Sequence, residues 1–274
     1  MHLFHYISAE INRWITKQPF VKEESITDFL LYTLSEAEKR IVYRAFSRHE
    51  EASIGADWEW WVLTNISDSE SFFAYRFLVQ AKKLHKDKDN YALLSYGNKN
   101  DLQMDLLLSA SKERGAYPLY LFYSTKQPEI EMQIEAFPKI DQDILMWCRR
   151  CINGCYVSPA EMVKQIIFDS ERRIIDDALL IGHSLGISLC DLGYIRDISD
   201  LLEQINNSYF QSSEEKKSPS GIRYNQESLP AYVSYILDHH EGIADWYERE
   251  FQHELDDLSG VGIIDLRESI NHKE

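Results

Sequence analysis

A chain of 274 residues, 44% of them hydrophobic, with a formal net charge of -16, holds enough apolar material for one large or two modest cores. No apolar run approaches the roughly 18 residues of a membrane span, and the N-terminus lacks a signal-peptide pattern, so a cytoplasmic protein with no membrane partner is expected. Four cysteines, three of them within Cys148 to Cys155, do not make a secreted disulfide framework.

In chain order, residues 1 to 20 carry His2, Leu3, Tyr6, Ile7, Ile11 and Trp14 at spacings near one helical turn, which predicts a short amphipathic helix. A second helix starts near Lys22, with Ile26, Phe29, Leu30 and Thr33 as its buried stripe. Glu23 and Glu24 both stand at its start, and spacing alone does not choose between them. Ile41 to Ser47 has strand composition. Gly55 to Lys83 reads as two further strands separated by the turn-like Asn65 to Ser71. Asn100 to Arg114 reads as a helix, with Leu102, Leu106 and Ala110 aligned, Leu107 and Leu108 beside them and Gly115 ending it, and Tyr117 to Tyr123 as a buried strand.

Beyond residue 125 the pattern weakens. Glu129 to Phe137 is a candidate strand, and Ile144 to Cys151 and Pro159 to Phe168 read as helical, the latter capped by Ser158 with Pro159 at its first position. Asp176 to Leu192 is apolar and ambiguous, and Ile198 to Tyr209 reads as helix. Ser212 to Gly221 has loop composition, Leu229 to Leu258 reads as mostly helical, and the last ten or so residues as frayed. The division expected is a core over 1–125 and an acidic, mainly helical extension over 126–274.

Charge follows that division. Residues 1–125 hold 15 Lys/Arg against 17 Asp/Glu, whereas residues 126–274 hold 14 against 28. A net charge of -16 argues against a nucleic-acid partner, since phosphate binding needs lysine and arginine. The near-neutral first part, with Lys82, Lys83, Lys86 and Lys88 in one run, removes that objection.

The two central strands carry the chemistry. Strand residues alternate faces, so Phe73, Tyr75, Phe77, Val79 and Ala81 share one side, and Ala74, Arg76, Leu78, Gln80 and Lys82 the other. The same count puts Asp57, Glu59 and Trp61 together, with Trp58, Trp60 and Val62 opposite. If the strands pair as a hairpin, Asp57 lies close to Gln80 and Lys82. An acid, a carbonyl donor and an amine at a strand end are what a magnesium site with an activating lysine requires.

The acidic helix, Gly55-Ala56-Asp57 and Gln80-Ala81-Lys82, in the order helix, three strands, helix, strand, resemble the PD-(D/E)XK nuclease superfamily, the restriction-endonuclease-like fold. Closer still, Glu-Glu-Ser-Ile-Thr-Asp, Gly-Ala-Asp-Trp-Glu-Trp-Trp, Gln-Ala-Lys and the helix carrying Gln103 resemble a family of uncharacterised bacterial proteins placed in that superfamily. The resemblance covers about residues 20 to 125. It implies an α+β fold with an αβββαβ core, a mixed sheet flanked by helices, and a mostly helical C-terminal part. It implies a Mg²⁺-dependent (or Mn²⁺-dependent) endonuclease acting on nucleic acid, DNA rather than RNA. Asp57, Gln80 and Glu24 or Glu23 would be metal ligands, with Lys82 activating the attacking water. Glu59 would be a further ligand or an ion-pair partner of Lys82. Two positions depart from the superfamily pattern: Ala56 replaces a proline, and Gln80 replaces the commoner glutamate, which removes a negative charge from the metal site. A role in defence against phage DNA is an expectation by analogy alone.

The alternatives are an ordinary cross-strand pair between Asp57 and Lys82 on a solvated face, or an inactive module that keeps the fold and binds a partner. Trp58, Trp60 and Trp61 read as core more readily than as base-stacking platforms. Gly182-His183-Ser184-Leu185-Gly186 matches the nucleophile elbow of esterases, but no alternating β/α series precedes it. Cys148, Cys151, Cys155 and Cys190 read as buried thiols rather than a zinc site, and His239-His240 as a surface pair. The acidic C-terminal half is a candidate surface for a homo-oligomer or a regulatory protein.

Overall fold

The structure is a computed structural model that describes residues 3–46, 54–65, 71–83, 99–125, 154–161, 163–164, 187–188, 222–224, 228–239, 250–251, 255 and 257–267. It is a mixed α/β fold, a multi-stranded sheet flanked by helices. The elements are α1 (Leu3–Lys17), α2 (Glu23–Ala37), β1 (Ile41–Ala45), β2 (Trp58–Asn65), β3 (Phe72–Lys83), α3 (Lys99–Arg114), β4 (Tyr117–Tyr123), β5 (Cys155–Pro159), β6 (Ile187–Ser188), β7 (Ile222–Tyr224), α4 (Ala231–Asp238) and β8 (Gly260–Asp265). From α2 to β4 this is the expected order of helix, three strands, helix and strand. Among the described residues no helix is long and apolar enough to cross a membrane.

The chain divides into two compact units, each assembled from separated stretches. One comprises Met1–Leu30, Ala81–Met104 and Leu119–Ser218, and the other Leu31–Gln80, Asp105–Pro118 and Pro219–Glu274. This differs from a division at residue 125, because both units draw on the early and the late parts of the chain.

In the second of these units the strands run in the order β1, β8, β2, β3, with β7 also on β3. β2 and β3 form the expected antiparallel hairpin, Trp58 facing Val79 and Asn65 facing Phe72. β8 is a strand the sequence reading did not contain: it falls between the helical reading of Leu229 to Leu258 and the last ten or so residues, of which 268–274 lie outside the described residues. It lies between β1 and β2, antiparallel to the first with Ile41 opposite Ile264, and parallel to the second with Trp58 opposite Gly260. Val261 and Ile263 are fully buried. Its sequence, Gly-Val-Gly-Ile-Ile-Asp, hides the strand because two glycines lower strand propensity. Packing demands both: a Cβ on Gly262 would lie 2.6 Å from the Trp60 ring, and one on Gly260 2.7 Å from the Arg44 carbonyl oxygen.

In the first unit, β4, β5 and β6 follow one another in antiparallel pairs, Leu121 facing Val157 and Val157 facing Ile187. β5 is a second correction. Ser158 and Pro159 end a strand instead of capping a helix, with the helical residues beginning at Ala160. Pro159 is tolerated at the strand's last position, where its missing N–H interrupts no further ladder. α1 approaches β5 through Gly154, where a Cβ would stand 2.4 Å from the Ser8 carbonyl oxygen. The Ser8 hydroxyl accepts the Gly154 N–H at 2.9 Å and the Cys155 N–H at 3.2 Å, and Asn12 Nδ2 donates to the Ser124 carbonyl at 3.2 Å. Ile7, Ile11 and Ile15 fill the apolar face of α1, as their spacing requires.

Candidate functional site

Gly55, with φ 69°, turns the chain into β2, a conformation that favours glycine. Asp57 follows, and its backbone is held from both sides: its N–H donates to the Val79 carbonyl at 2.8 Å, and its carbonyl accepts the Ser259 N–H at 2.6 Å. Extending the hairpin register by one residue sets Asp57 directly across from Gln80. Cross-strand neighbours at that spacing are in side-chain reach. Gln80 Nε2 donates to Asp57 Oδ2 at 2.5 Å. Gln80 is 1% exposed, Asp57 half-buried.

Lys82 stands two residues further along β3, on the strand face of Gln80. It is only 3% exposed, which removes the premise of an ordinary solvated strand face. Its amine donates to Gln103 Oε1 at 3.0 Å. Gln103 lies one turn before the fully buried Leu107 on α3. The buried residues of α3 include Met104, Leu107, Ala110 and Ser111, of which the sequence reading named Ala110 in its aligned set and Leu107 beside it. The contact of Gln103 with Lys82 was not legible from that spacing.

Of the two glutamates opening α2, Glu23 reaches β3: its Oε2 accepts the Lys83 N–H at 2.5 Å. Glu24 is exposed. Both lie in the first turn of α2, where carboxylates suit the helix dipole. Thr27, next on the inward face, hydrogen-bonds the Tyr123 hydroxyl at 2.8 Å. Lys83 is itself 7% exposed, and its ammonium donates to the Pro19 carbonyl at 2.5 Å and the Val21 carbonyl at 2.6 Å. Burial pushes the Lys83 amine below its ordinary value, and the Glu23 carboxylate works in the opposite direction.

Glu59 does something other than expected. Its fully buried carboxylate is ion-paired with Arg76, Oε2 lying 2.6 Å from Nη2, and accepts from the Tyr232 hydroxyl at 2.5 Å and from the Trp61 indole N–H. Arg76 stacks over Trp61, 5.2 Å from the ring centroid, and donates to the Arg114 carbonyl at 3.2 Å. Burial, and then the Glu59 charge, hold the Tyr232 hydroxyl well above its ordinary value. Sequence reasoning missed this cluster because Tyr232 comes from α4, 173 residues from Glu59.

Among the described residues no three His, Cys, Asp or Glu gather into a metal-binding group. Cys155 is buried and in no disulfide among the described residues, whereas Cys148, Cys151, Cys190 and His240, together with the Ser184 elbow at 182–186, lie outside the described residues. His239 stacks on Tyr235 at 4.0 Å between ring centroids. Trp58 and Trp61 are each 1% exposed and belong to the core, while Trp60 is half-buried over Gly262.

The fold and these contacts define a mixed α/β protein whose central hairpin carries buried polar side chains at one end. The chain belongs to a family of unknown function, DUF6615, whose profile matches residues 1–268. Comparison with curated proteins and with solved structures finds no match to either.

Proposed function

We propose that the protein is a Mg²⁺-dependent or Mn²⁺-dependent endonuclease of the PD-(D/E)XK type that hydrolyses phosphodiester bonds of DNA. The observation that carries this reading is the pairing of Asp57 with Gln80 at the end of the β2–β3 hairpin, with the buried Lys82 two residues on. Carboxylate and carboxamide oxygens are hard donors, and Mg²⁺ is ordinarily bound by one or two carboxylates while keeping several waters. Asp57 and the Gln80 carbonyl suit that cation, with Glu23 or Glu24 at the start of α2 as the further carboxylate this reading calls for. The bound cation would supply Lewis-acid polarisation of the phosphate. Lys82 orients the attacking water and offsets charge developing on the phosphate, and Gln103 holds its amine in place.

Replacing Lys82 by Ala removes metal-dependent cleavage of plasmid DNA by at least about 100-fold, with an unchanged far-UV circular dichroism spectrum. Metal-dependent cleavage at the wild-type rate in that variant sinks the assignment.

A second reading has its own observation. Gln80 donates its Nε2 to Asp57, so the carboxylate already has a protein donor. A nuclease-fold module that binds nucleic acid or a regulatory partner without cutting fits that arrangement. Mn²⁺ titration followed by calorimetry separates the two: the nuclease reading requires binding that Asp57→Asn removes, and the module reading requires none.

A further inference from the structure

Phe20 is 87% exposed, the most exposed of the large hydrophobic side chains among the described residues. It does not sit on a loose segment. Gln18–Val21 is a β-turn closed by the Val21 N–H on the Gln18 carbonyl at 3.0 Å, and Gln18 is itself tied to the Trp14 carbonyl at 2.8 Å. Pro19 fixes the backbone at the turn's second position. The Lys83 ammonium then clamps the carbonyls on both sides of Phe20, those of Pro19 and Val21. A buried cation thus rigidifies a turn whose tip is an aromatic ring in water. Nothing in the packing of α1 and α2 uses that ring, and burying it nowhere forgoes the stabilisation a core phenylalanine gives.

Lys17 and Lys22, three residues before and two after Phe20 in the chain, are both exposed, and of the acids that follow, Glu23 is half-buried with its carboxylate on the Lys83 N–H while Glu24 is exposed. An exposed aromatic ring on a rigid turn, with exposed lysines on either side of it in the chain, can stack a nucleobase while ammonium groups meet the neighbouring phosphates. A helical or β-strand protein ligand would call for a longer apolar stripe than one ring. The clamp also ties this turn to the strand end that carries Lys82, since Lys83 is its immediate neighbour.

We infer that Phe20, with Lys17 and Lys22, is a nucleic-acid subsite that stacks an unpaired base of the strand held for cleavage, so that the substrate is single-stranded or locally opened. The inference rests on the nuclease reading, and it is tested without cleavage. The full chain is titrated, in EDTA, into a single-stranded DNA oligonucleotide carrying 2-aminopurine, and into the corresponding duplex.

The wild type should bind the single strand more tightly and quench the 2-aminopurine fluorescence. Phe20→Ala should weaken binding about tenfold or more and abolish the quenching, while Phe20→Trp retains both. Because the ring lies in solvent, thermal melting should be unchanged in both variants. Wild-type binding and quenching in Phe20→Ala overturn the subsite, as does failure of the wild type to bind the oligonucleotide. A change confined to self-association, read by light scattering, reassigns Phe20 to a contact between copies of the chain and also overturns it. In each of these cases the cleavage assay on Lys82→Ala still decides the nuclease reading by itself.

Discussion

The β2–β3 hairpin handles buried polar groups in two different ways along its length. Midway, Glu59 and Arg76 neutralise one another, and Tyr232 and Trp61 occupy the remaining hydrogen-bonding capacity of the carboxylate. At its end, the Asp57 carboxylate accepts from the Gln80 carboxamide, and the Lys82 amine donates to the Gln103 carboxamide. The difference is chemical. An ion pair with two further donors is a closed unit, whose disruption strands a charge in a low-dielectric interior. A carboxamide carries no charge, so displacing it costs a hydrogen bond and not an ion pair.

The comparison breaks most directly at Arg76. Arg76→Ala leaves the Glu59 carboxylate buried without its cation and should cost about 3–5 kcal/mol of stability, read as a shift of the urea midpoint. Lys82→Met, which keeps the volume and removes only the charge, should lie within about 1 kcal/mol of wild type by the same measurement. Equal losses in the two variants would erase the distinction between the two ends of the hairpin.

Tyr232→Phe tests the same cluster more gently. The hydroxyl donates to a charged, buried acceptor, so its removal should cost about 2 kcal/mol. The loss should vanish in an Arg76→Ala, Glu59→Gln background, since the acceptor charge is then gone. α4 would thereby be shown to be fastened to the hairpin through one hydroxyl.

The contrast between legible and illegible parts of the sequence follows the same line. Period-two alternation and the run from Gly55 to Lys83 placed β2, β3 and the Asp57–Gln80 neighbourhood, because an antiparallel hairpin is local and its register follows from its turn. Gly115, at φ 62°, ended α3 where its left-handed backbone is required. β8 was not legible, because a six-residue strand with two glycines is specified by Trp60 and Tyr43, which lie some 200 residues earlier. Tyr232 was missed for the same reason, and so was the contact of Gln103 with Lys82, although the helix carrying Gln103 had been singled out. Each matters through a contact made across the fold, and neither local composition nor spacing carries that information. The residues of Cys155–Pro159 misled because Ser-Pro reads equally as a helix start and as a strand end.

Glu161 supplies the mildest test, as a half-buried carboxylate. Among the described residues its buried Oε2 has no hydrogen-bond partner, and burial pushes its carboxyl up to about 7, with its own backbone N–H and then the Lys164 charge offsetting part of the shift. A carboxyl whose folded value lies above its ordinary one binds protons more tightly in the folded state. Its contribution to stability is therefore complete below about pH 4.5 and is lost as pH rises through about 7. Glu161→Gln removes that loss, so the variant should be more stable than wild type at pH 8 by roughly 1–2 kcal/mol and no more stable at pH 4.5. Urea denaturation at the two pH values measures the difference. A constant offset between the proteins would mean that Glu161 is paired as Glu59 is, and that the hairpin's closed cluster is the rule for this protein's buried carboxylates and not the exception.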